Sequence, residues 1–409
     1  MLALDPLRLA RRQLEIDRER TGRFPDLLAH KADRMTPSPL ALLRGSAPLF
    51  YELLEKHPVL TEGPAGEGWL VGDCHLENFG AFRTDVLATS TKPTSGRRGK
   101  RDADPIVFDL NDFDDAFVGP WRIDVLRVLT SLILAGRELG TDGRRTLDLA
   151  EALLRSYASS AFHERKAPDP PRAVGRLVDR VRARTRQELL DARTQLVDGQ
   201  RRLTLGARYR ALPGKVRARA ERAFAKYVKR LPQPERTAPD SFEVIDAAFR
   251  VAGTGSLGCL RVAVLVRGKG DPDGAWLFDM KEEGTPSAAC LFRPPRLEPA
   301  ERVAEANRAC LSRPPRMIGV TRLKGSSMYV RRLSPQEDKL DLGKLAADDL
   351  EPLAAHLGAL LRSAHRRGAR RTPRRPWSEA ERAKLLASAI ALAGVHEAMY
   401  LAYCQLVRG

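Results

Sequence analysis

V-G-D-C-H-L-E-N-F-G, Val71 to Gly80, and P-I-V-F-D-L-N-D-F-D-D-A, Pro105 to Ala116, carry the densest chemistry in the chain. The first places Asp73 and Asn78 five positions apart in a tight, glycine-flanked segment. The second is a short apolar strand, Ile106 to Phe108, that runs into Asp109, Asp112, Asp114 and Asp115. A carboxylate that accepts a proton, with an Asn and a second Asp that hold a metal ion, are the parts phosphoryl transfer requires. Mg²⁺ takes hard oxygen ligands, usually one or two carboxylates beside the substrate's phosphates. Asp and Asn also gather in ordinary turns, where their side chains bond nearby backbone groups. The order of the two segments, taken with a third element further along, favours an active site over a solvated turn.

That third element begins near residue 241, where composition and period change. F-E-V-I-D-A-A-F-R and R-V-A-V-L-V-R-G read as strands around Gly253, Thr254, Gly255, Ser256, Leu257 and Gly258. W-L-F-D-M-K-E-E follows as a further strand carrying Lys281. No helix follows the G-x-G-x-x-G, so the dinucleotide-binding reading fails its context test. A glycine loop between strands, then a strand with a lone inward Lys, predicts a hairpin folded over phosphates. Glycines let the backbone approach a phosphate and offer amide donors without a side-chain clash. A plain hairpin with a glycine-rich bulge is the alternative. P-A-E-R-V-A-E-A-N-R-A-C-L then predicts a helix with Glu301 and Glu305 one turn apart, one of which would hold Lys281.

The chain has 409 residues and 43% apolar content, enough for a folded core in two or three units. No run approaches the ~20 apolar residues of a bilayer span, so no membrane span is expected. The N-terminus lacks a basic start followed by an apolar core, which argues against a signal peptide. Five scattered Cys, none in a C-x-x-C pair, give neither a disulfide framework nor a zinc site, and a cytoplasmic location is expected. The net charge of +18 is concentrated in residues 161–240, which hold 21 Lys/Arg against 9 Asp/Glu. That segment has few aromatics and no nucleic-acid motif, so an Arg-rich solvated helical surface is favoured over binding of nucleic acid or another polyanion.

Four stretches organise the chain. Residues 1–70 form an amphipathic helical segment expected to pack on a helical lobe. Residues 71–240 carry the catalytic segments, a polar loop at 84–104 and successive helices over 145–230. Residues 241–335 form a β-rich lobe, and 336–409 add C-terminal helices. Arg44, beside Gly45, is either an anion contact or a buried or capping Arg. His30, His57, His163, His356, His365 and His396 read as structural or exposed.

On these residues the chain resembles the bacterial domain-of-unknown-function family 2252. R-G-S-A at Arg44, G-D-C-H-L-E-N-F-G, F-D-L-N-D-F-D-D, G-T-G-S-L-G, Lys281-Glu282, R-V-A-E-A-N-R and Y-V-R-R-L carry the resemblance. More distantly it resembles the aminoglycoside-phosphotransferase and choline-kinase branch of the protein-kinase-like fold. That resemblance implies an α+β, two-lobe architecture, with a small antiparallel β lobe and a larger helical lobe. It also implies a phosphotransferase using ATP and Mg²⁺ on an unknown acceptor. Asp73 would be the base, and Asn78 and Asp112 the metal ligands, with Asp109 or Asp114 as alternates. Gly253–Gly258 and Lys281 would hold phosphates, Glu305 would pair with Lys281, and Asp124 would brace the catalytic loop. The glycine loop, Lys and Glu follow Asp73 here, whereas in kinases they precede it, which implies a circular permutation. Arg367 should then lie near Trp69, and Lys281 within a Mg-nucleotide's length of Asp112. Other possibilities are nucleotidyl transfer on the same scaffold and metal-dependent hydrolysis using His75, Asp73, Asp109, Asp112 and Asp114. A catalytically inactive kinase-like or polyanion-binding protein is a further one.

Overall fold

The computed structural model describes residues 4–84, 105–159, 169–232, 239–270, 272–315 and 317–408. Of the polar loop expected at 84–104, all but Thr84 lies outside these residues. The chain is α+β, about half helical, with small antiparallel sheets.

Six strands form the largest sheet, in the order Tyr209–Arg210, Val244–Arg250, Arg261–Val266, Trp276–Glu282, Ser326–Leu333 and Gly319–Leu323. Successive strand residues point to opposite faces. Val262, Val264, Val266, Phe278 and Met280 therefore share one face, packed beneath Phe224 and Tyr227 of the helix Gly214–Arg230. On the other face Ala248, Ala263, Leu265 and Leu277 are covered by Leu190 and Leu203, while the end nearer Lys281 is charged. The last hairpin closes on Lys324 and Gly325, both at positive φ (53° and 87°), as a two-residue turn of matching twist requires.

Two expectations change here. Residues 145–230 are not helical throughout: Thr194–Val197 and Gln200–Leu203 form a hairpin closed by Asp198-Gly199, whose Asp-Gly pair suits such a turn. The helix Gly214–Arg230 packs on the β-sheet and not on the helical lobe, because its apolar stripe meets the sheet's valine face. Arginines of this basic stretch tie elements together. Arg176 pairs with Asp349, Arg184 with Asp338, Arg201 with Asp191 at 2.9 Å, and Arg217 with Asp246 at 2.9 Å.

Two three-stranded sheets position the acidic segments. Glu67–Leu70 lies between Ala369–Arg371 and Phe117–Pro120, and Phe79–Arg83 between Glu337–Lys339 and Ile106–Leu110. Leu70 is registered with Phe117, and Phe79 with Leu110. Residues 71–78 and 111–116 are thus two crossovers between the same pair of sheets, held side by side at both ends. Their approach is closest at Gly72, φ +85°, where a Cβ would stand 1.9 Å from the Asp115 carbonyl oxygen.

The helical part joins Gly143–Tyr157 to Ala347–Arg367 and lays Glu379–Arg408 along Arg122–Leu134 and Pro6–Thr21. Glu379–Arg408 is long and apolar enough to cross a membrane by length and composition, with a mean hydropathy of 1.5 over its most apolar stretch. Run length missed it because alanines with an occasional charge carry that average. In this fold Leu385, Ala389 and Leu392 sit in the main core, and Met399 and Tyr403 in a satellite core with Leu9 and Ile16. The N-terminal helices also touch the β-sheet, where Leu27 joins its core and Phe24 packs on Phe249.

Candidate active site

One helix face holds the first acidic crossover. Asp124, Arg127 and Ser131 are spaced i, i+3, i+7 on Arg122–Leu134, which puts them on one side of it. The Asp124 carboxylate accepts the amides of Val71 (2.7 Å) and Gly72 (3.0 Å). The Arg127 guanidinium donates through Nε to Asp73 Oδ1 at 2.7 Å, and Ser131 Oγ accepts the Leu76 amide at 3.1 Å. His365, on Ala347–Arg367, bridges Asp124 (3.0 Å) to the Tyr157 hydroxyl (2.8 Å). Residues 71–78 are therefore held at three backbone amides by a buried network.

Asp73 keeps its carboxylate at the cavity edge, with 21% of the side chain exposed. Burial pushes its carboxyl up to about 7; the Arg127 cation pulls the other way, and Asp115 and Asp112 add to the rise. Asn78 is buried and lines the cavity, and its Nδ2 donates to the Asp73 carbonyl at 2.5 Å, so Oδ1 is the hard oxygen its side chain has left to offer. Asp112 is exposed in the cleft, and its carboxylate accepts only the Asp114 amide (3.2 Å) among the described residues. Both groups fit a Mg²⁺ ion that draws its other ligands from phosphates and water.

Lys281 comes to this place from the β-sheet. Its ammonium pairs with Asp114, two residues beyond Asp112, and lies 3.6 Å from Glu283. Burial raises the Glu283 carboxyl to about 7, against the pull of Lys281 and Arg302. One cavity of about 450 Å³ is bounded by Asp73, Asn78, Asp112, Asp114, Lys281 and the loop residues Gly253, Thr254, Gly255, Ser256 and Gly258.

Two expected participants stand elsewhere. Glu305 pairs with Arg308 at 3.7 Å, is half exposed, and does not reach Lys281. Its helix presents Arg302 inward instead, donating to the carbonyls of Asp114 (2.8 Å) and Gly284 (3.1 Å) and to that of Ala116. Asp109, the alternate metal ligand, accepts from the Leu110 amide (2.9 Å) and Arg367 (3.4 Å), away from the cavity. Glu305→Ala is accordingly expected to change stability by less than about 0.5 kcal/mol and leave anion binding in the cavity unchanged. Glu283→Gln is expected to weaken anion binding at Lys281 about tenfold by loosening that side chain. Thermal melts and a phosphate titration on the two variants check this.

The glycine loop is gripped from outside. Arg20 donates to the Gly255 carbonyl at 3.1 Å, and Arg34 donates to that of Gly253. Gly258, φ +99°, lets the Arg20 backbone approach so closely that a Cβ would lie 2.0 Å from its carbonyl oxygen. With these carbonyls engaged, the amides of Gly253, Thr254, Gly255 and Ser256 have no hydrogen-bond partner among the described residues. Unpaired amides beside a lysine suit an anion. Arg44 also lines the cavity, paired with Glu77 at 2.6 Å. Lys339 reaches it from the strand Glu337–Lys339, near Asp112 and Asp73; burial lowers its ammonium pKa.

Sequence reasoning missed Arg127, Ser131, Glu283, Arg302, Lys339 and the linking role of His365. Only the D-x-x-R-x-x-x-S spacing at 124–131 offered a local signal. A family model described as "Uncharacterized protein conserved in bacteria (DUF2252)" matches residues 23–406. No curated protein and no solved structure matches the chain.

Proposed function

The chain belongs to that bacterial family, DUF2252, and from this membership and the geometry of the cleft we propose a Mg²⁺- and ATP-dependent phosphotransferase acting on a hydroxyl acceptor. One observation carries the reading: the Lys281 strand and glycine loop meet Asp73, Asn78 and Asp112 around a single cavity. A circularly permuted kinase-like fold is part of the proposal. The Trp69 amide donates to the Gly368 carbonyl at 2.9 Å, and Ala369–Arg371 pairs with Glu67–Leu70. The helix ending at Arg367 thus adjoins the strand entering the catalytic segment, although the two lie at opposite ends of the chain. Cytoplasmic placement also belongs to the proposal.

The amides of 253–256 hold phosphate oxygens, and Lys281 exchanges its Asp114 partner for one of them. Asn78 Oδ1 and the Asp112 carboxylate would hold the ion, which when bound neutralises charge on the transferring group. Asp73 accepts the acceptor's hydroxyl proton, while Arg127 fixes its orientation. Positioning and charge neutralisation supply most of the acceleration in such chemistry.

A base must be deprotonated to act, so turnover is expected to rise with pH through about 7, following the Asp73 carboxyl. Arg127 holds that pKa down, so Arg127→Met should move the midpoint of the profile upward. A profile flat from pH 5 to 9 would remove Asp73 as the base.

The hydrolase reading keeps His75 beside Asp73 at 3.9 Å but loses Asp109, which turns to Arg367. A silent scaffold has one observation in its favour, the direct Lys281–Asp114 pair where a phosphate would sit. Incubating the full chain with ATP and Mg²⁺ separates the two. ADP or acceptor-linked phosphate supports transfer, a pyrophosphate product points to nucleotidyl transfer, and intact ATP supports the scaffold.

A further inference from the structure

Past the catalytic cavity the cleft continues inward as a second cavity of about 740 Å³ beneath the six-stranded sheet. The two share Gly253, Ser256, Asp112, Asp114 and Lys281. Strand alternation sets the roof of the inner one. Asp279 stands two residues before Lys281 and points to the same side. Arg261 is registered directly with Lys281, Arg331 with Asp279, and Arg250 lies on the next strand. Asp279, almost fully buried, takes both Arg250 (2.8 Å) and Arg261 (Nε, 2.9 Å), while Arg331 is held by Glu337 at 3.2 Å.

Three guanidiniums in this roof therefore face two carboxylates. Over the whole lining, nine Lys/Arg face five Asp/Glu. Arg250 Nε is buried without a hydrogen-bond partner. A cation removed from water without a matching anion is costly, and an anionic ligand would relieve that cost. On the segment crossing between the sheets, three backbone groups that could read a base are already engaged: the Ser334 amide by Glu337 (3.3 Å), the Gln336 amide by Ser334 (3.3 Å) and the Glu337 carbonyl by Arg184 (2.8 Å).

Resting on the reading of the outer cavity as a phosphate-transfer site, we infer that the inner cavity takes a further anionic stretch of the same ligand. The donor is recognised by a chain of phosphates running from Lys281 past Arg261 toward Arg250 and Arg331, and not by its base. Titration calorimetry on the full chain, with Mg²⁺ at constant ionic strength, tests this with inorganic tripolyphosphate, ATP and GTP. Tripolyphosphate is expected to compete with ATP and bind at least as tightly, and ATP and GTP to agree within about threefold. Arg250→Gln should weaken tripolyphosphate about tenfold. Asp279→Asn, which removes the opposing charge, should strengthen it severalfold. A purely structural network would not give opposite signs. Arg331→Gln, at a more exposed position, gives a second reading should Arg250→Gln fail to fold. ATP binding that needs Asp112 but is unaffected by tripolyphosphate would overturn the inference and leave the phosphotransferase reading standing. Binding of neither compound would overturn both.

Discussion

Asp112→Ala is expected to lower kcat/KM for ATP-dependent transfer by about 10³-fold or more while the protein stays folded. The Asp112 side chain is exposed in the cleft and holds up nothing but a turn, through the Asp114 amide at 3.2 Å. In the proposed transfer its loss would remove a hard ligand where charge builds in the transition state. The neighbouring carboxylates cannot take over. Asp115 is committed to the Ser287 amide (2.7 Å) and hydroxyl (3.1 Å), and Asp114 to Lys281. Asp73→Asn should cost about 10²- to 10⁴-fold, the residual rate coming from positioning that survives the loss of a base. Single-turnover rates beside thermal melts separate a chemical defect from a folding one. Unchanged turnover in Asp112→Ala would remove the metal-holding role.

Asp124→Ala is expected to destabilise the chain by about 3–5 kcal/mol, the largest stability effect of any single change considered. The side chain is fully buried, and its carboxylate satisfies the Val71 and Gly72 amides and the His365 ring. Truncation leaves the two amides and His365 Nε2 without a partner in a place water does not reach, although His365 Nδ1 keeps the Tyr157 hydroxyl, and each unpaired buried group costs about 1–3 kcal/mol. Asp124→Asn keeps an acceptor and should cost clearly less. Urea unfolding measures both: a lower midpoint at unchanged slope is expected for Ala. An Ala variant as stable as the parent would mean that the network does not hold residues 71–78 in place.

The reach of the sequence differed by residue for physical reasons. Asp73 and Asn78 share one crossover, and Asp112 sits in its partner, so short-range spacing was enough to single them out. Asp109 failed the same test because it still belongs to the strand Ile106–Leu110, whose pleat turns it toward Arg367. Which carboxylate meets Lys281 depends on how Pro299–Cys310 rotates against the sheet. That rotation follows from packing of Ala300, Val303, Ala304 and Ala306 and leaves Glu305 outside, whereas Glu283, two residues after Lys281 in extended chain, falls on the lysine's own side. Arg20 and Lys339 reach the cleft, and Arg34 the outside of its glycine loop, from distant parts of the chain, and nothing adjacent to them in sequence marks that. The basic stretch read as helical because its arginines mask the strand alternation of Thr194–Leu203. Charge alone did not show that many of those arginines cross-link the fold.

A crystal structure of the full chain with Mg²⁺ and a non-hydrolysable ATP analogue tests the central claim most directly. The expected result places Lys281 and the 253–256 amides on the triphosphate, and Asn78 and Asp112 on the ion beside it. A nucleotide bound elsewhere, or Lys281 still paired with Asp114 in crystals at saturating ligand, would contradict it.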